Sequence, residues 1–384
     1  MLEKIKSSIA SVGFGLVATV GAVSLIWWNE GKAVKNAQDT EAAGGAFIEV
    51  SSDSVNNSNE GKLVVASGSA TTDDVLTDPV FRISENAIKL ERSVEMYQWR
   101  EIEERNNNNS NNNSSNSNNR PTYRYESTWS STPIDSSRFH ESGHSNPPMR
   151  HRGNDLVATN VKMGAFRLSA PLIGQINQGN DRAVTEAELD NFRGELPGQV
   201  TLDNGKVYAG SGSPSSNQVG DYRIGFRVVT QPQDVTVLAQ QRGNSFTAWV
   251  GANGKEFNRL EPGILSGEQM IQAEEEADAT LKWGLRIGGI ILMAIGIGMI
   301  FNPLKELADV IPLVGGLISA GIGFFAFLIA LFISFVVMAI AWIAARPVMG
   351  IILLVVAAAA IVGLVMMAKK KNAGAPAAGA APKG

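Results

Sequence analysis

Residues 283–301 read WGLRIGGIILMAIGIGMIF. A helix of roughly 19 residues at about 1.5 Å per residue is about 28 Å long, the thickness of a bilayer's hydrocarbon core. Two more apolar runs follow, 313–345 and 347–368, the second stopped by Lys369, Lys370 and Lys371. The first of these is longer than a perpendicular crossing needs, so it is expected to tilt, kink near a glycine or leave one end in the interface. A fourth run, 9–28, follows a short head (1–8) carrying Lys4 and Lys6. Because it continues past any small-residue cleavage site to Trp27 and Trp28, it reads as an uncleaved anchor and not as a leader.

The pattern predicts an α+β membrane protein: one transmembrane helix at the N-terminus, three at the C-terminus, and a large β-rich extracytoplasmic domain between the first and second. Lysines at both ends place the head and the tail (369–384) in the cytoplasm and export the intervening chain. Trp27, Trp28 and Trp283 are expected at the membrane interface. Between the second and third spans, 302–312 has Asn302 as cap, Pro303 at the first helical position and Leu304, Leu307 and Ile311 on one face, which predicts a short helix lying on the membrane surface. Small residues at four-residue spacing, Gly284 and Gly288, then Gly315, Ser319 and Gly323, are candidates for close helix packing. No Asp, Glu, Lys, Arg or His occurs in 287–301 or 313–345. Pumps and ion-coupled transporters place ionisable groups there, so a relay through the spans is not expected.

The whole chain has 384 residues, a net charge of −4 and no cysteine. The charge gives no case for nucleic acid, and the missing thiols exclude disulfides, thiolate metal sites and thiol catalysis. The exported domain, 29–265, alternates apolar and polar residues in 62–66, 89–103 and 123–129, the last two joined by an Asn/Ser tract (106–119) that reads as a disordered loop. Further strands are expected in 156–161 and 165–172, a short helix in 185–192 opened by a Thr185/Glu188 capping box, and a hairpin of 221–229 with 235–241. From Ser266 the period changes to helical. With Gln269 completing the cap and Met270, Ala273, Ala277 and Leu281 on one stripe, residues 266–282 form a connecting helix running into the second span.

The three histidines fall close together, and His140-Glu141-Ser142-Gly143-His144 matches the His-Glu-x-x-His spacing of zinc peptidases. That chemistry needs a helix through the motif, which Gly143 and Pro147-Pro148 oppose, and His151 is out of step for a third ligand. No catalytic set, cofactor or firm metal site is therefore expected.

Trp28-Asn-Glu-Gly-Lys-Ala33, Val94-Glu-Met-Tyr-Gln-Trp99, Gly143-His-Ser-Asn-Pro147, Val219-Gly-Asp-Tyr-Arg223, Gln241-Arg-Gly243 and Lys282-Trp-Gly-Leu-Arg286 resemble the transmembrane protein 43 (LUMA) family, in the same order along nearly the whole chain. The resemblance implies a membrane protein with a lumenal or periplasmic domain. It implies endoplasmic reticulum and inner nuclear membrane residence for eukaryotic members, which bind lamins and emerin and organise the envelope. For a prokaryotic member, which the absence of cysteine permits, it implies the bacterial inner membrane with a periplasmic domain and none of those partners. The expected function is a non-enzymatic scaffold whose partners are the lipid bilayer, further copies of itself and other membrane or envelope proteins. The alternative is an oligomeric channel or lipid-handling protein, with a zinc peptidase through His140, Glu141 and His144 third.

Overall fold

The computed structural model describes residues 2–104, 121–303, 315–343 and 347–373. The Asn/Ser tract, all of the expected surface helix beyond Asn302 and Pro303 with its Leu304, Leu307 and Ile311, and the chain after Ala373 lie outside them. The chain forms two compact units. One is helical, Met1–Ala46, Val250–Glu256 and Ile271–Gly384; the other is β-rich, Phe47–Trp249 and Phe257–Met270.

Four long helices are α1 (Leu2–Ala46), α2 (Gly267–Ile300), α3 (Gly315–Ile343) and α4 (Pro347–Ala373). Among the described residues, three stretches are long and apolar enough to cross a membrane: Ala10–Ala46, Gly267–Ile300 and Ile322–Ile343. Within α4 the described apolar stretch, Gly350–Ala359, is shorter. The first helix does not end at Trp28 as the hydropathy boundary suggests. Residues 29–43 contain no proline and are rich in Ala, with Lys and Glu among the rest, so α1 continues to Ala46 and the first strand starts only at Ile48.

The apolar core of the helical unit joins Ala22 and Ile26 of α1, Met293 and Ile297 of α2, and Ala330 and Met338 of α3. The helices α1 and α2 run antiparallel in contact. A Cβ on Gly15 would lie 2.6 Å from the Gly296 carbonyl oxygen, and one on Gly289 would lie 2.7 Å from the Ile26 side chain. Side chains such as Phe14, Val17, Ile287, Ile291 and Ile295 point outward, as lipid-facing residues must.

In the β-rich unit the five longest strands are β1 (Leu63–Thr72), β2 (Ser84–Glu104), β3 (Thr122–Ser130), β4 (Tyr222–Thr230) and β5 (Gln233–Arg242). One sheet runs Ile48–Ser51, β1, Val161–Met163, Phe166–Arg167, Ser245–Thr247, β5, Arg259–Pro262, and β1 also pairs with β5, which closes it on itself. The second sheet centres on β2 and β4, antiparallel over Lys89 to Met96, with β3 continuing the ladder from Met96 to Glu104 on β2. Strand β2 shows why it forms. Leu90, Arg92, Val94, Met96 and Gln98 alternate inward, and the one cation among them is bound by Asp78, whose two oxygens each accept from Arg92 at 2.6 Å.

Strands β4 and β5 do not make the expected hairpin. Both edges of β4 are taken, by β2 on one side and by Lys206–Gly210 and Asn180–Arg182 on the other, while β5 lies between β1 and Arg259–Pro262. The residues between them carry the chain from one sheet to the other. The capping box at Thr185 is present, but it opens only a turn of 3₁₀ helix (Glu186–Glu188) and a single turn of α-helix (Asp190–Arg193). Ser266 and Gln269 cap α2 reciprocally as expected, and α2 then runs unbroken to Ile300.

Candidate functional site

The inward stripe of α2 is not the apolar one read from the sequence: Met270 is buried, but Leu281 is 65% exposed. At helical spacing from Met270 the enclosed positions are instead Glu274, Asp278, Lys282 and Arg286, because each meets a polar group of α1 or of the loop 250–256. Glu30 is fully buried and accepts from Arg286 Nε at 2.5 Å, from Arg286 Nη2 at 2.6 Å and from Trp342 Nε1 of α3 at 2.6 Å. Asn29 Nδ2 donates to the Lys282 carbonyl at 3.4 Å. The Arg286 guanidinium also lies over the Trp283 ring, 4.7 Å from its centre. The segments around Trp28 and Lys282, far apart in sequence, thus form one bracket that joins the middle of α1 and of α2 to the C-terminal end of α3.

Further along the same pair of helices, Lys255 Nζ donates to Asp278 at 2.6 Å and to Thr40 Oγ1 at 2.9 Å, and lies 3.2 Å from Glu274. Asp39 accepts from the Asn253 and Lys255 backbone N–H groups, each at 3.0 Å. The loop is tied to α1 through the Asp39 carboxylate, and Gly251 is tight against it: a Cβ there would lie 2.4 Å from Asp39 Cγ.

In the β-rich unit three other segments meet. Met96 on β2 is opposite Tyr222 on β4; Gly220 N–H donates to the Tyr97 carbonyl at 2.8 Å, and Tyr222 Oη accepts from the Arg150 N–H at 3.0 Å. Gly220 has φ +100°, and a side chain there would meet Pro147 at 3.0 Å, so the close approach needs glycine. Beneath it Asp221 is buried, accepting from Ser211 and Gln218 N–H at 2.9 and 2.6 Å and from Tyr208 Oη. Burial first, and this carboxylate second, push the Tyr208 phenol well above its ordinary range. Together Met96, Pro147, Arg150, His151, Glu195 and Tyr222 help line an open cleft of about 360 Å³. His151 Nε2 lies 2.9 Å from the Glu195 carbonyl, so that nitrogen carries the hydrogen.

The His-Glu-x-x-His stretch does not form the helix a zinc peptidase requires; residues 140–144 are turn and loop. His140 stacks on Tyr123 with centroids 3.7 Å apart and has Nδ1 2.9 Å from Glu101, while His144 stacks on Tyr125 at 4.0 Å. The two imidazoles serve separate aromatic stacks on β3. Burial alone would raise the Glu101 carboxyl, but hydrogen bonds from Tyr125 Oη and the His140 N–H outweigh it and hold it below the usual range. Among the described residues no cluster of three or more His, Asp or Glu could hold a metal. Close to this stretch it is Asn146 that ties the loop to the sheet: its side chain accepts from Trp99 N–H at 2.7 Å and donates to the Trp99 carbonyl at 2.9 Å, completing the β2 edge where β4 ends.

Among the described residues nothing lies within 4 Å of where a Cβ on Gly284, Gly288 or Gly323 would stand, whereas Gly15, Gly289 and Gly296 make close approaches. Nothing in composition separates the two sets, since the choice depends on which face meets α1. Gly315 and Ser319 lie in the first turns of α3, and Lys369, Lys370 and Lys371 lie in α4. Trp27, Trp28 and Trp283 are exposed at 52, 59 and 57%, beside the bracket and on the outward faces of α1 and α2.

Long apolar helices with buried, paired charges between them, joined in one chain to a β-rich unit, define an integral membrane protein of α+β class. The family profile described as Transmembrane protein 43 matches residues 96–347. Similar curated proteins are Transmembrane protein 43 of Mus musculus, 31% identical over 360 residues (90% of this chain, 87% of the relative), and of Homo sapiens, 30% over 366 residues (92% and 88%). The Transmembrane protein 43 homolog of Drosophila melanogaster is 28% identical over 360 residues (91% and 92%). The chain belongs to the transmembrane protein 43 family. No solved structure matches it.

Proposed function

We propose that this protein is a non-enzymatic membrane scaffold whose β-rich unit and helix faces hold copies of itself and other membrane proteins together. The observation that carries this reading is the Glu30–Arg286–Trp342 bracket. Its buried ionisable groups bind one another and so fix the helices, and the apolar stretches 287–301 and 322–343 carry no ionisable group of the kind an ion or proton relay needs. In this reading α4 is the fourth crossing, both termini lie on the cytoplasmic side, and the β-rich unit is lumenal or periplasmic. Gly284 and Gly288, open in the single chain, then belong to the contact between copies. Chemical cross-linking of the full-length protein in mild detergent tests this: cross-linked multimers are expected, and a strictly monomeric pattern at all concentrations counts against it. Liposomes holding the protein should neither conduct ions nor scramble lipid.

A further inference from the structure

We propose that Asn56 is an acceptor for an N-linked glycan; this rests on the lumenal placement of the β-rich unit and adds a covalent modification to it. Asn56-Asn57-Ser58 has the spacing this chemistry requires, a carboxamide with a hydroxyl two residues on and no proline between. Among the described residues no other asparagine has serine or threonine at that spacing. Asn56, Asn57 and Ser58 are all exposed, in the connection between the strand Ile48–Ser51 and β1.

The loop is pinned to the sheet through groups other than the acceptor atom. The Asn56 carbonyl accepts from Gln241 Nε2 of β5 at 2.9 Å and from the Asn59 N–H at 3.1 Å. Gly61 N–H donates to the Gln241 carbonyl at 3.0 Å, and Glu60 accepts from the Gly243 N–H at 2.7 Å. The Asn56 side chain makes one bond, in which Oδ1 accepts from the Ser58 N–H at 3.0 Å and so closes a local turn. No described residue accepts from Asn56 Nδ2. At Asn86 and Asn146, by contrast, Nδ2 donates to backbone carbonyls, and substitution there would break bonds of the fold itself.

Modification of Asn56 is therefore compatible with the folded loop. In the transfer, Nδ2 attacks the anomeric carbon of an oligosaccharide carried on a lipid pyrophosphate. The C–N bond forms, the anomeric C–O bond breaks with its electron pair going to the leaving lipid pyrophosphate, and Nδ2 gives up one proton. No oxidant or reductant takes part. The product keeps Oδ1 as an amide oxygen, so the bond from Ser58 N–H survives. A bulky hydrophilic group on this turn keeps that end of the closed sheet out of contacts between copies.

The test translates the full-length chain into endoplasmic reticulum microsomes, which supply the transferase and the lipid-linked sugar. Asn108, Asn112 and Asn113 also head Asn-x-Ser triplets, in the Asn/Ser tract outside the described residues, so a gel shift would mix their contribution with that of Asn56. A residue-specific readout avoids this: enzymatic removal of N-glycans in heavy-oxygen water turns a modified asparagine into labelled aspartate, detected by mass spectrometry in the tryptic peptide 36–62. Label at Asn56 is expected in the parent and in Ser58→Thr, and its loss in Ser58→Ala, which retains Asn56 and the backbone N–H that closes the turn. Added protease, with the vesicles intact, separates the site from the placement it rests on. A protected β-rich unit with no label at Asn56 overturns the site and leaves the lumenal placement standing. Label that persists in Ser58→Ala marks simple deamidation and overturns the site as well. Digestion of the unit without label withdraws placement and site together.

Discussion

Glu30 and Arg286 are 256 positions apart in the chain and meet as a two-point ion pair, with a third bond to Glu30 from Trp342. Removing one member leaves a buried charge without its partner, which costs about 3–5 kcal/mol, whereas exchanging both for apolar groups costs far less. Arg286→Leu and Glu30→Leu are each expected to lower the thermal unfolding midpoint in detergent strongly, and the double variant to recover much of the loss. Trp342→Phe, which removes one hydrogen bond to a charged group, should cost about 1.5–3 kcal/mol.

A second expectation separates the glycines. Gly296→Val should disrupt the contact of α1 with α2, because a Cβ there already lies 2.6 Å from Thr19 Oγ1 and 2.9 Å from the Gly15 carbonyl. Gly284→Ala and Gly288→Ala, with open space, should leave the unfolding midpoint of the isolated chain unchanged or slightly raised through helix propensity. Thermal unfolding monitored by circular dichroism reads both.

The acid limb of stability should depend on Glu188. Its carboxyl is held down to about 2, against 4.5 ordinarily, first by the Arg182 hydrogen bonds and then by Thr185, while burial opposes them. A carboxylate more acidic in the folded state stabilises fully above the unfolded value and loses that contribution as pH falls from about 4.5 through 2. The full contribution is at most about 3 kcal/mol. Acid titration of Glu188→Gln should show lower stability at neutral pH and a flatter decline below pH 4.5 than the parent; parallel curves would contradict the assignment.

In the 140–146 stretch the weight should fall on Asn146. Asn146→Ala leaves both Trp99 backbone groups unpaired at the β2 edge and should cost about 2–3 kcal/mol, while His140→Ala, on an exposed imidazole, should cost under about 1 kcal/mol. Denaturant unfolding distinguishes them, and metal analysis should find no zinc stoichiometry lost on replacing His140.

Much of the architecture was legible because membrane helices and half-buried strands write their period into the chain. The apolar runs, the β2 and β3 pairing and the Ser266 cap were all readable on those grounds. The extent of α1 was not, because Asn29 to Ala46 is polar and helical at once and hydropathy marks only where lipid ends. The hairpin of β4 with β5 failed because proximity in sequence says nothing about edges already taken by distant strands. The bracket is hidden for a related reason: Glu30 follows one apolar run and Arg286 stands near the start of another, and both read as solvated until α1 and α2 are brought together. The cleft was visible only as separate segments, since Met96, Arg150 and Tyr222 have no sequence relation until β2 and β4 pair.

Native mass spectrometry of the full-length protein released from mild detergent tests the scaffold most directly. A discrete multimer of the 40.9 kDa chain, persisting on dilution and weakened by Gly284→Ile or Gly288→Ile, is the predicted result. A monomer at every concentration, together with ion conductance or lipid movement in liposomes, would contradict it.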